Sequence, residues 1–228
     1  MRRAVVLLSG GLDSSTVLAI AKERGYSVTA LTFDYGQRHA RELKSARMVA
    51  KQLGAEEHLV IRLDIGRYLD SALTREDAEV PSGRSDEDIG RGVPSTYVPG
   101  RNLVFLSIAS SIAESRRAEA VFIAVNSVDF SGYPDCTPEF IEAFQKALDV
   151  GTRAGREGRG IRIEAPLLHM SKADIVREAV RLGVPVQLTW SCYLGGERAC
   201  GRCDSCRLRL KGFSEAGLRD PLNYEVVT

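Results

Sequence analysis

The sequence lacks the features that would place it in a membrane, outside the cell or on duplex DNA. No apolar run approaches the roughly 20 residues of a membrane-spanning helix. The apolar stretch after Met1-Arg2-Arg3 is too short for a signal peptide. An excess of one charge is also absent, because 31 Lys+Arg face 30 Asp+Glu and leave a net charge of +1. This balance argues against a broad cationic nucleic-acid surface. We expect a soluble, cytoplasmic protein that acts on small molecules, without nucleic-acid or membrane partners.

Cysteine is scarce, and its distribution argues against a disulfide framework. Four of the five cysteines lie between positions 192 and 206, whereas secreted domains spread their paired cysteines along the chain. The close spacing of thiols predicts a tetrahedral Zn²⁺ site formed by Cys192, Cys200, Cys203 and Cys206. Because four thiolates leave no open position on zinc, we expect a structural role. Unrelated buried cysteines and a redox pair remain alternatives.

Composition and apolar periodicity together predict one α/β domain. The 228 residues are 44% hydrophobic and 27% charged, which is ordinary globular usage. Strands are predicted over residues 4–8, 28–33, 58–63, 121–125 and 161–164, and helices over residues 14–24, 38–53, 102–117, 138–150 and 172–182. This alternation favours a mostly parallel, doubly wound sheet. The polar stretch 75–92 interrupts the pattern and is either a solvated insertion or a substrate lid.

The run Ser9-Gly10-Gly11-Leu12-Asp13-Ser14-Ser15 lies where the first strand leads into the first helix. Small residues there let backbone N–H groups converge on an anion at the positive end of the helix. The serine hydroxyls add donors, and the Asp13 carboxylate suits Mg²⁺ or a helix cap. The run lacks the Gly-Lys-Ser ending of a Walker A loop and the spacing of a dinucleotide fingerprint. It predicts a nucleotide phosphate site; a plain strand-to-helix turn is the alternative.

This Ser-Gly-Gly-x-Asp-Ser run resembles the signature of the ATP pyrophosphatase (PP-loop) superfamily. The resemblance implies cleavage of ATP between its α and β phosphates and adenylation of a carboxyl or carbonyl oxygen. It also implies five parallel strands in the order 3-2-1-4-5, the adenine nucleotide alpha hydrolase-like fold, to which the four-cysteine zinc site predicted above adds a C-terminal module. Residues 1–188 would form the ATP-binding domain, and residues 189–228 a zinc-binding extension packed on it.

Within this superfamily the sequence resembles the 7-cyano-7-deazaguanine synthase family over nearly its full length. The resemblance rests on residues 8–18, 33–39, 97–102, 129–136 and 189–206. It implies a C–N bond-forming ligase of queuosine biosynthesis that converts 7-carboxy-7-deazaguanine and ammonia to 7-cyano-7-deazaguanine with ATP. The carboxylate would be activated first and pass through an amide. The alternatives are a PP-loop enzyme that modifies tRNA by base adenylation and a non-enzymatic zinc interaction module.

The resemblance also implies roles for individual residues. ATP would contact Leu8, Ser9, Gly10, Gly11, Leu12, Asp13, Ser14, Ser15, Phe33 and Tyr35, with Mg²⁺ at Asp13. The expected catalytic residues are Ser9, Asp13, Ser14 and Arg101, and the guanidinium would neutralise a phosphate or the substrate carboxylate. The deazaguanine would contact Arg101, Asn102, Asp129, Tyr133 and Asp135.

The remaining candidates carry weaker signals. A carboxylate can accept hydrogen bonds from the ring N–H and exocyclic amine of the deazaguanine, while Tyr133 or Phe130 can stack on it. Cys136 is interpreted as a buried wall residue rather than a nucleophile. We expect His39 near the site, and His58 and His169 in structural or solvated positions. The sequence indicates no general base, and the resemblance implies a homodimer only weakly.

Overall fold

The computed structural model describes residues 1–38, 41–75, 77–89, 92–126 and 132–225. Five strands form one parallel sheet in the order β3-β2-β1-β4-β5. They are β1 (Arg3–Leu7), β2 (Ser27–Asp34), β3 (Glu57–Arg62), β4 (Ala120–Phe122) and β5 (Arg162–Glu164). The predicted α/β class and strand order are therefore confirmed. None of the helices in these ranges is both long and apolar enough to cross a membrane.

The helices surround the sheet and connect its strands. They are α1 (Leu12–Glu23), α2 (Arg41–Gln52), α3 (Asp86–Ile89), α4 (Arg101–Ser115), α5 (Pro138–Gly151), α6 (Arg153–Arg156), α7 (Lys172–Arg181) and α8 (Asp204–Glu215). Each predicted helix is present with its ends moved by at most a few residues, whereas the short helices α3 and α6 and the longer α8 were not predicted. The predicted strand 121–125 ends early at Phe122, because the chain beyond it leaves the sheet and enters the wall of a cavity.

Both faces of the sheet are buried, and β1 lies at its centre. Val6 packs with Leu18 of α1 and Ile175 of α7 on one face. Its neighbour Val5 packs with Leu106 of α4 on the other face. Successive side chains of a strand point to opposite faces, so two covered faces require a continuous apolar run. This explains why β1 shows no polar alternation.

The turn after β1 brings three parts of the chain into contact at Gly10. Its φ is +89°, and a Cβ atom placed there would lie 2.5 Å from the carbonyl oxygen of Glu42 and 2.6 Å from the amide nitrogen of Ala46. The Gly10 carbonyl also accepts a hydrogen bond of 2.9 Å from the Trp190 amide. Glycine is therefore required both by the backbone conformation and by the close approach of α2.

We expect Gly10→Ala to lower the free energy of unfolding more than Gly25→Ala does. Both glycines have positive φ, which costs an alanine about 1–2 kcal/mol. A Cβ at Gly25 meets nothing within 4 Å, whereas a Cβ at Gly10 must also displace α2. Urea denaturation followed by circular dichroism compares the two variants. Equal losses would contradict the close packing of α2 against the turn.

Candidate functional site

A cavity of about 280 Å³ opens at the carboxyl ends of β1, β2 and β4. Leu8, Tyr35 and Val125 follow these three strands and contribute to its wall. The connections after β1 and β4 run to opposite sides of the sheet, so the strand order reverses between them and leaves a crevice. The fold thus places a binding cavity where the glycine-rich run begins.

The glycine-rich run forms one wall of this cavity. Its lining residues are Leu8, Ser9, Gly11, Leu12, Asp13 and Ser14. The Ser14 hydroxyl lies 3.0 Å from the Ser9 hydroxyl and accepts a 3.2 Å hydrogen bond from the Ser9 amide. Gly11 begins α1 in an extended conformation without a side-chain cap, which leaves amides of the first turn available to an anion. Gly10 and Ser15 lie outside the cavity lining, and the Ser15 hydroxyl donates to the Gly11 carbonyl at 2.7 Å.

Asp13 is paired with a cation that sequence reasoning missed. Its Oδ2 atom accepts hydrogen bonds from Lys172 Nζ at 2.6 Å and Asn126 Nδ2 at 2.9 Å. Lys172 is the first residue of α7, whose start is fixed by a capping box between Ser171 and Asp174. The lysine lines the cavity beside the glycine-rich turn. Of the two roles predicted for Asp13, Mg²⁺ ligand or helix cap, the cap is absent among the described hydrogen bonds, and the carboxylate instead forms an ion pair between α1 and α7.

Aromatic residues form the wall beyond β2. Phe33 stacks on Phe105 with ring centroids 4.0 Å apart and planes 14° apart. Tyr35 meets the same ring edge-on at 5.4 Å. All three residues line the cavity. Phe33 therefore both packs in the core and presents an apolar surface to a bound ligand.

Arg101 places a permanent positive charge in the cavity wall. It begins α4 after Gly100, which has a left-handed conformation, and it is hydrogen-bonded to Tyr35. Burial disfavours the charged guanidinium and by itself would lower the pKa of Arg101. Electrostatic interactions with Tyr35, Cys136 and Asp135 outweigh this effect and hold the pKa above its usual range. Burial also raises the pKa of Tyr35. Arg101 is therefore available to neutralise an anion in the cavity.

The expected deazaguanine contacts are divided between the cavity and the structure behind it. Asn102 and Tyr133 line the cavity, as does the buried Cys136. Asp135 does not belong to the cavity lining. Its Oδ2 accepts a hydrogen bond of 2.8 Å from the Asn102 backbone amide, and its carbonyl oxygen accepts one of 3.0 Å from Asn102 Nδ2. The structure thus places Asp135 where it holds the start of α4. Asp129 lies outside the described residues.

The histidines and Phe130 add little to the site. His39 and Phe130 lie outside the described residues. His58 Nε2 is hydrogen-bonded to the Thr32 hydroxyl at 2.8 Å on the sheet, and burial lowers the pKa of His58. His169 is exposed. None of the described histidines lines the cavity.

Glu42 is a cavity residue that sequence reasoning also missed. It lies in the first turn of α2, beside the glycine-rich turn and Arg101. Burial raises the pKa of Glu42 to about 7; Arg101 opposes this shift and Cys192 adds to it. No hydrogen bond to its carboxylate is formed within the described ranges. A glutamate near the start of a polar helix has no sequence pattern that distinguishes it from a solvated residue.

The four clustered cysteines are brought together as predicted. Their Sγ atoms all lie within 4.8 Å of one another, and all four residues are buried. Cys200 Sγ and Cys206 Sγ are 3.9 Å apart, close to the roughly 3.8 Å edge of a tetrahedron with Zn–S bonds of about 2.3 Å. The amides of Leu194 and Cys200 each donate to Cys192 Sγ at 3.4 Å. Hydrogen bonds from the other thiols lower the pKa of Cys192. The cluster is suited to hold a metal ion.

The chain around this cluster, residues 190–206, which we call the cysteine module, is connected to the polar insertion 75–92. Within the described part of the insertion, Val80 packs against Trp190 and the cysteines. Ser82 pairs with Cys203, and Arg84 forms a salt bridge with Asp204. The insertion was predicted to be either solvated or a lid, and its described part is docked on the cysteine module.

A buried charge pair fixes the chain after the module. Arg209 of α8 is 2% exposed and donates to Asp220 through Nε at 2.7 Å and Nη2 at 3.0 Å. Burial would raise the pKa of Asp220, but the hydrogen bonds from Arg209 hold it below its usual range. Arg209 also donates to the Thr189 hydroxyl at 2.8 Å and contributes to the cavity lining. This pairing holds α8 against the cavity.

Comparisons with known proteins agree with this architecture. The model of the family described as "Queuosine biosynthesis protein QueC" matches residues 3–217. The chain is 55% identical to the 7-cyano-7-deazaguanine synthase of Thermoplasma acidophilum, covering 98% of this chain and 92% of that protein. It is also 55% identical to the enzyme of that name from Anaeromyxobacter dehalogenans, with 98% and 96% covered. Among solved structures, the NMN synthetase from Francisella tularensis aligns with a TM-score of 0.53 at 14% identity, covering 96% and 78% of the two chains, and so shares the fold.

We expect Glu42→Gln to stabilise the protein at alkaline pH more than at acidic pH. The unfolded carboxyl ionises near its ordinary pKa of 4.5, while the folded one retains its proton up to about pH 7. Folding therefore favours the protonated form, and the stability that Glu42 contributes falls as the pH rises between these values. Glutamine carries no such dependence. Urea denaturation at about pH 5 and about pH 8 measures the difference, and an effect independent of pH would contradict the raised pKa.

Proposed function

This chain belongs to the family described as "Queuosine biosynthesis protein QueC", and we propose that it is a 7-cyano-7-deazaguanine synthase that uses ATP and ammonia. One observation supports this proposal most directly: the glycine-rich turn, Lys172 and Arg101 line a single cavity. The reaction must bring together two anions, the ATP triphosphate and the carboxylate of 7-carboxy-7-deazaguanine. Backbone amides and two cations in one cavity are the groups that such a pair needs.

The glycine-rich turn would hold the phosphates. Amides at the start of α1 and the hydroxyls of Ser9 and Ser14 can donate to phosphate oxygens, with Lys172 as a neighbouring cation. Asp13 also fits a Mg²⁺ ligand, because its two hydrogen bonds both reach Oδ2 and leave Oδ1 without one among the described residues. Mg²⁺ bound there would neutralise phosphate charge during transfer. Phe33 and Tyr35 would contact the adenosine.

The chemistry that we propose follows from the poor reactivity of a carboxylate. Direct displacement would expel oxide, so a carboxylate oxygen first attacks the α-phosphate and releases pyrophosphate. Ammonia then attacks the acyl carbon, and AMP leaves with the electron pair of the broken C–O bond. A second adenylation of the amide oxygen allows it to leave, giving the nitrile. Arg101 is positioned to bind the carboxylate and its developing phosphate ester, so the protein would act as a C–N bond-forming ligase.

The deazaguanine ring would lie beyond the phosphates. Asn102 and Tyr133 belong to the cavity wall and are the contacts that we propose for it. In this proposal Asp135 positions Asn102, because its carboxylate accepts a hydrogen bond from the Asn102 backbone amide. Asp129 remains a proposed partner for the ring N–H and exocyclic amine.

The metal in the cysteine module is proposed to be structural zinc. Four buried thiols with tetrahedral spacing fit Zn²⁺, and such an ion stabilises the fold that holds its ligands. We divide the chain accordingly into an ATP-binding domain, residues 1–188, and a zinc-binding extension, residues 189–228. We also infer a cytoplasmic enzyme that forms a homodimer and takes small molecules rather than nucleic acid.

Mass spectrometry of the products tests this function. The protein is incubated with Mg-ATP, an ammonium salt and 7-carboxy-7-deazaguanine, and each component is omitted in turn. We expect the amide and then the nitrile, dependent on ATP and ammonia, with AMP as the nucleotide product. ATP and deazapurine that remain intact with the metal site filled would contradict the function, and ADP in place of AMP would contradict the site of ATP cleavage.

Removal of the metal is expected to release the insertion. Strong chelation should take one zinc ion per chain and expose the segment around Arg84, because Ser82 and Arg84 contact Cys203 and Asp204 of the cysteine module. Limited trypsin digestion, with cleavage sites identified by mass spectrometry, compares the metal-loaded and metal-free proteins. Readdition of zinc should restore protection. Unchanged cleavage after complete metal removal would show that the insertion is held independently of the metal.

A further inference from the structure

Two carboxylates line the cavity in the described part of the chain, and their surroundings differ. Asp13 is hydrogen-bonded to Lys172 and Asn126. Glu42 accepts no hydrogen bond from any described residue, although it is partly buried in the wall. Its backbone is nonetheless held closely, because the Glu42 carbonyl lies beside Gly10. The structure therefore positions beside Arg101 a carboxylate that accepts no hydrogen bond from the described residues.

Glu42 also faces a second, smaller pocket of about 50 Å³ beside the main cavity. The other polar lining residues of this pocket are Tyr35, Gln37, Arg38, Arg101 and Tyr193, and two of these, Gln37 and Arg38, are hydrogen-bonded to the backbone. Gln37 accepts the Tyr35 amide at 2.8 Å and donates to the Phe33 carbonyl at 3.2 Å. Arg38 donates to the carbonyls of Ala72 and Ala78, the latter at 2.8 Å. Glu42 is thus the carboxylate that this pocket offers to a ligand.

The size of the pocket limits what that ligand can be. A space of about 50 Å³ holds a few molecules the size of water and is too small for a bicyclic base. Tyr35, Glu42 and Arg101 line both this pocket and the main cavity, so a small molecule here lies next to the larger substrates. The wall also contains the guanidinium groups of Arg38 and Arg101, so Glu42 is the one carboxylate among its lining residues through which a small cation can be held.

The proposed reaction requires a small cation of this kind. Ammonia is present near neutral pH chiefly as ammonium, which has no lone pair for attack on an acyl carbon. A carboxylate can bind ammonium through its charge and then take its proton. The raised pKa of Glu42, about 7, suits this exchange, because a base works best when its pKa is close to the working pH.

We propose that Glu42 binds ammonium in the small pocket and accepts its proton as the amide forms; this inference rests on the proposed function. In this step ammonium first gives one proton to a carboxylate oxygen of Glu42, and the ammonia so formed makes a bond from nitrogen to the acyl carbon. The bond between the acyl carbon and the AMP oxygen breaks, its electron pair leaves with AMP, and the AMP phosphate takes up the second proton that the nitrogen loses. The Glu42 carboxylic acid then returns the proton to water.

The test separates adenylation from the reaction with ammonia. Exchange of pyrophosphate into ATP, with 7-carboxy-7-deazaguanine and without ammonium, reports adenylation alone. Amide and nitrile formation at varied ammonium concentration reports the second step. For Glu42→Gln we expect exchange within about 3-fold of the parent protein and amide formation reduced about 100-fold or more. Glu42→Asp, which keeps the carboxylate, should recover part of this loss. Glu142→Gln, an exposed change on α5, serves as the matched control and should alter neither rate.

Each other outcome has a defined meaning. Amide formation by Glu42→Gln at the parent rate would overturn the inference. A rise in the KM for the deazapurine, with exchange lost to the same extent as amide formation, would also overturn it and would assign Glu42 to purine binding. Absence of exchange in the parent protein would instead overturn the proposed function, and this inference with it. Circular dichroism of Glu42→Gln confirms that any loss of rate is not a loss of fold.

Discussion

The contact between Gly10 and the start of α2 determines how the rest of the site is arranged. There the glycine-rich turn, α2 and the cysteine module meet without space for a side chain. The Gly10 backbone lies against the Glu42 carbonyl and accepts the Trp190 amide. The turn that we propose to hold phosphate, the Glu42 carboxylate beside it and the Trp190 wall residue therefore meet at one glycine. Any shift of α2 would move Glu42 relative to this turn.

The cysteine module contributes Trp190, Ser191 and Tyr193 to the cavity lining and also holds the start of α2. Arg41 stacks over the Trp190 ring at 3.9 Å and donates to the Gly196 carbonyl at 3.0 Å. Its neighbour in the chain is Glu42, so the first turn of α2 is held on one side by the module and on the other by Gly10. A metal that orders the module would thus affect the reaction without touching a substrate. A metal bound by all four thiolates has no open position for a substrate, so its effect on the proposed reaction would come through the fold.

Short-range patterns were readable in the sequence, and long-range pairings were not. The glycine-rich run and the four cysteines occupy the short ranges 9–15 and 192–206; the run leads from β1 into α1, and the four thiols lie close together, as the sequence predicts. Lys172 lies 159 residues from Asp13 in the chain, so no local motif links them. The strand order came from family resemblance, since periodicity indicates parallel strands but not their arrangement. Burial was concealed for a different reason: α8 reads as polar, yet Arg209 is almost fully buried because Asp220, 11 residues further along the chain, neutralises it.

The charges of the cavity explain how the Glu42 carboxylate can lie beside the two anionic substrates of the proposed reaction. Arg209 is paired with Asp220, and Lys172 is paired with Asp13. Arg101 also lines the cavity and pairs with neither aspartate, so its charge is the one that we propose for the substrates. A permanently ionised Glu42 beside Arg101 would cancel that charge and repel the phosphates. Because burial raises the pKa of Glu42 to about 7, the neutral and ionised forms of this carboxyl are both populated near neutral pH. The neutral form leaves the charge of Arg101 uncancelled, and the ionised form is the one that the proposed proton transfer from nitrogen requires.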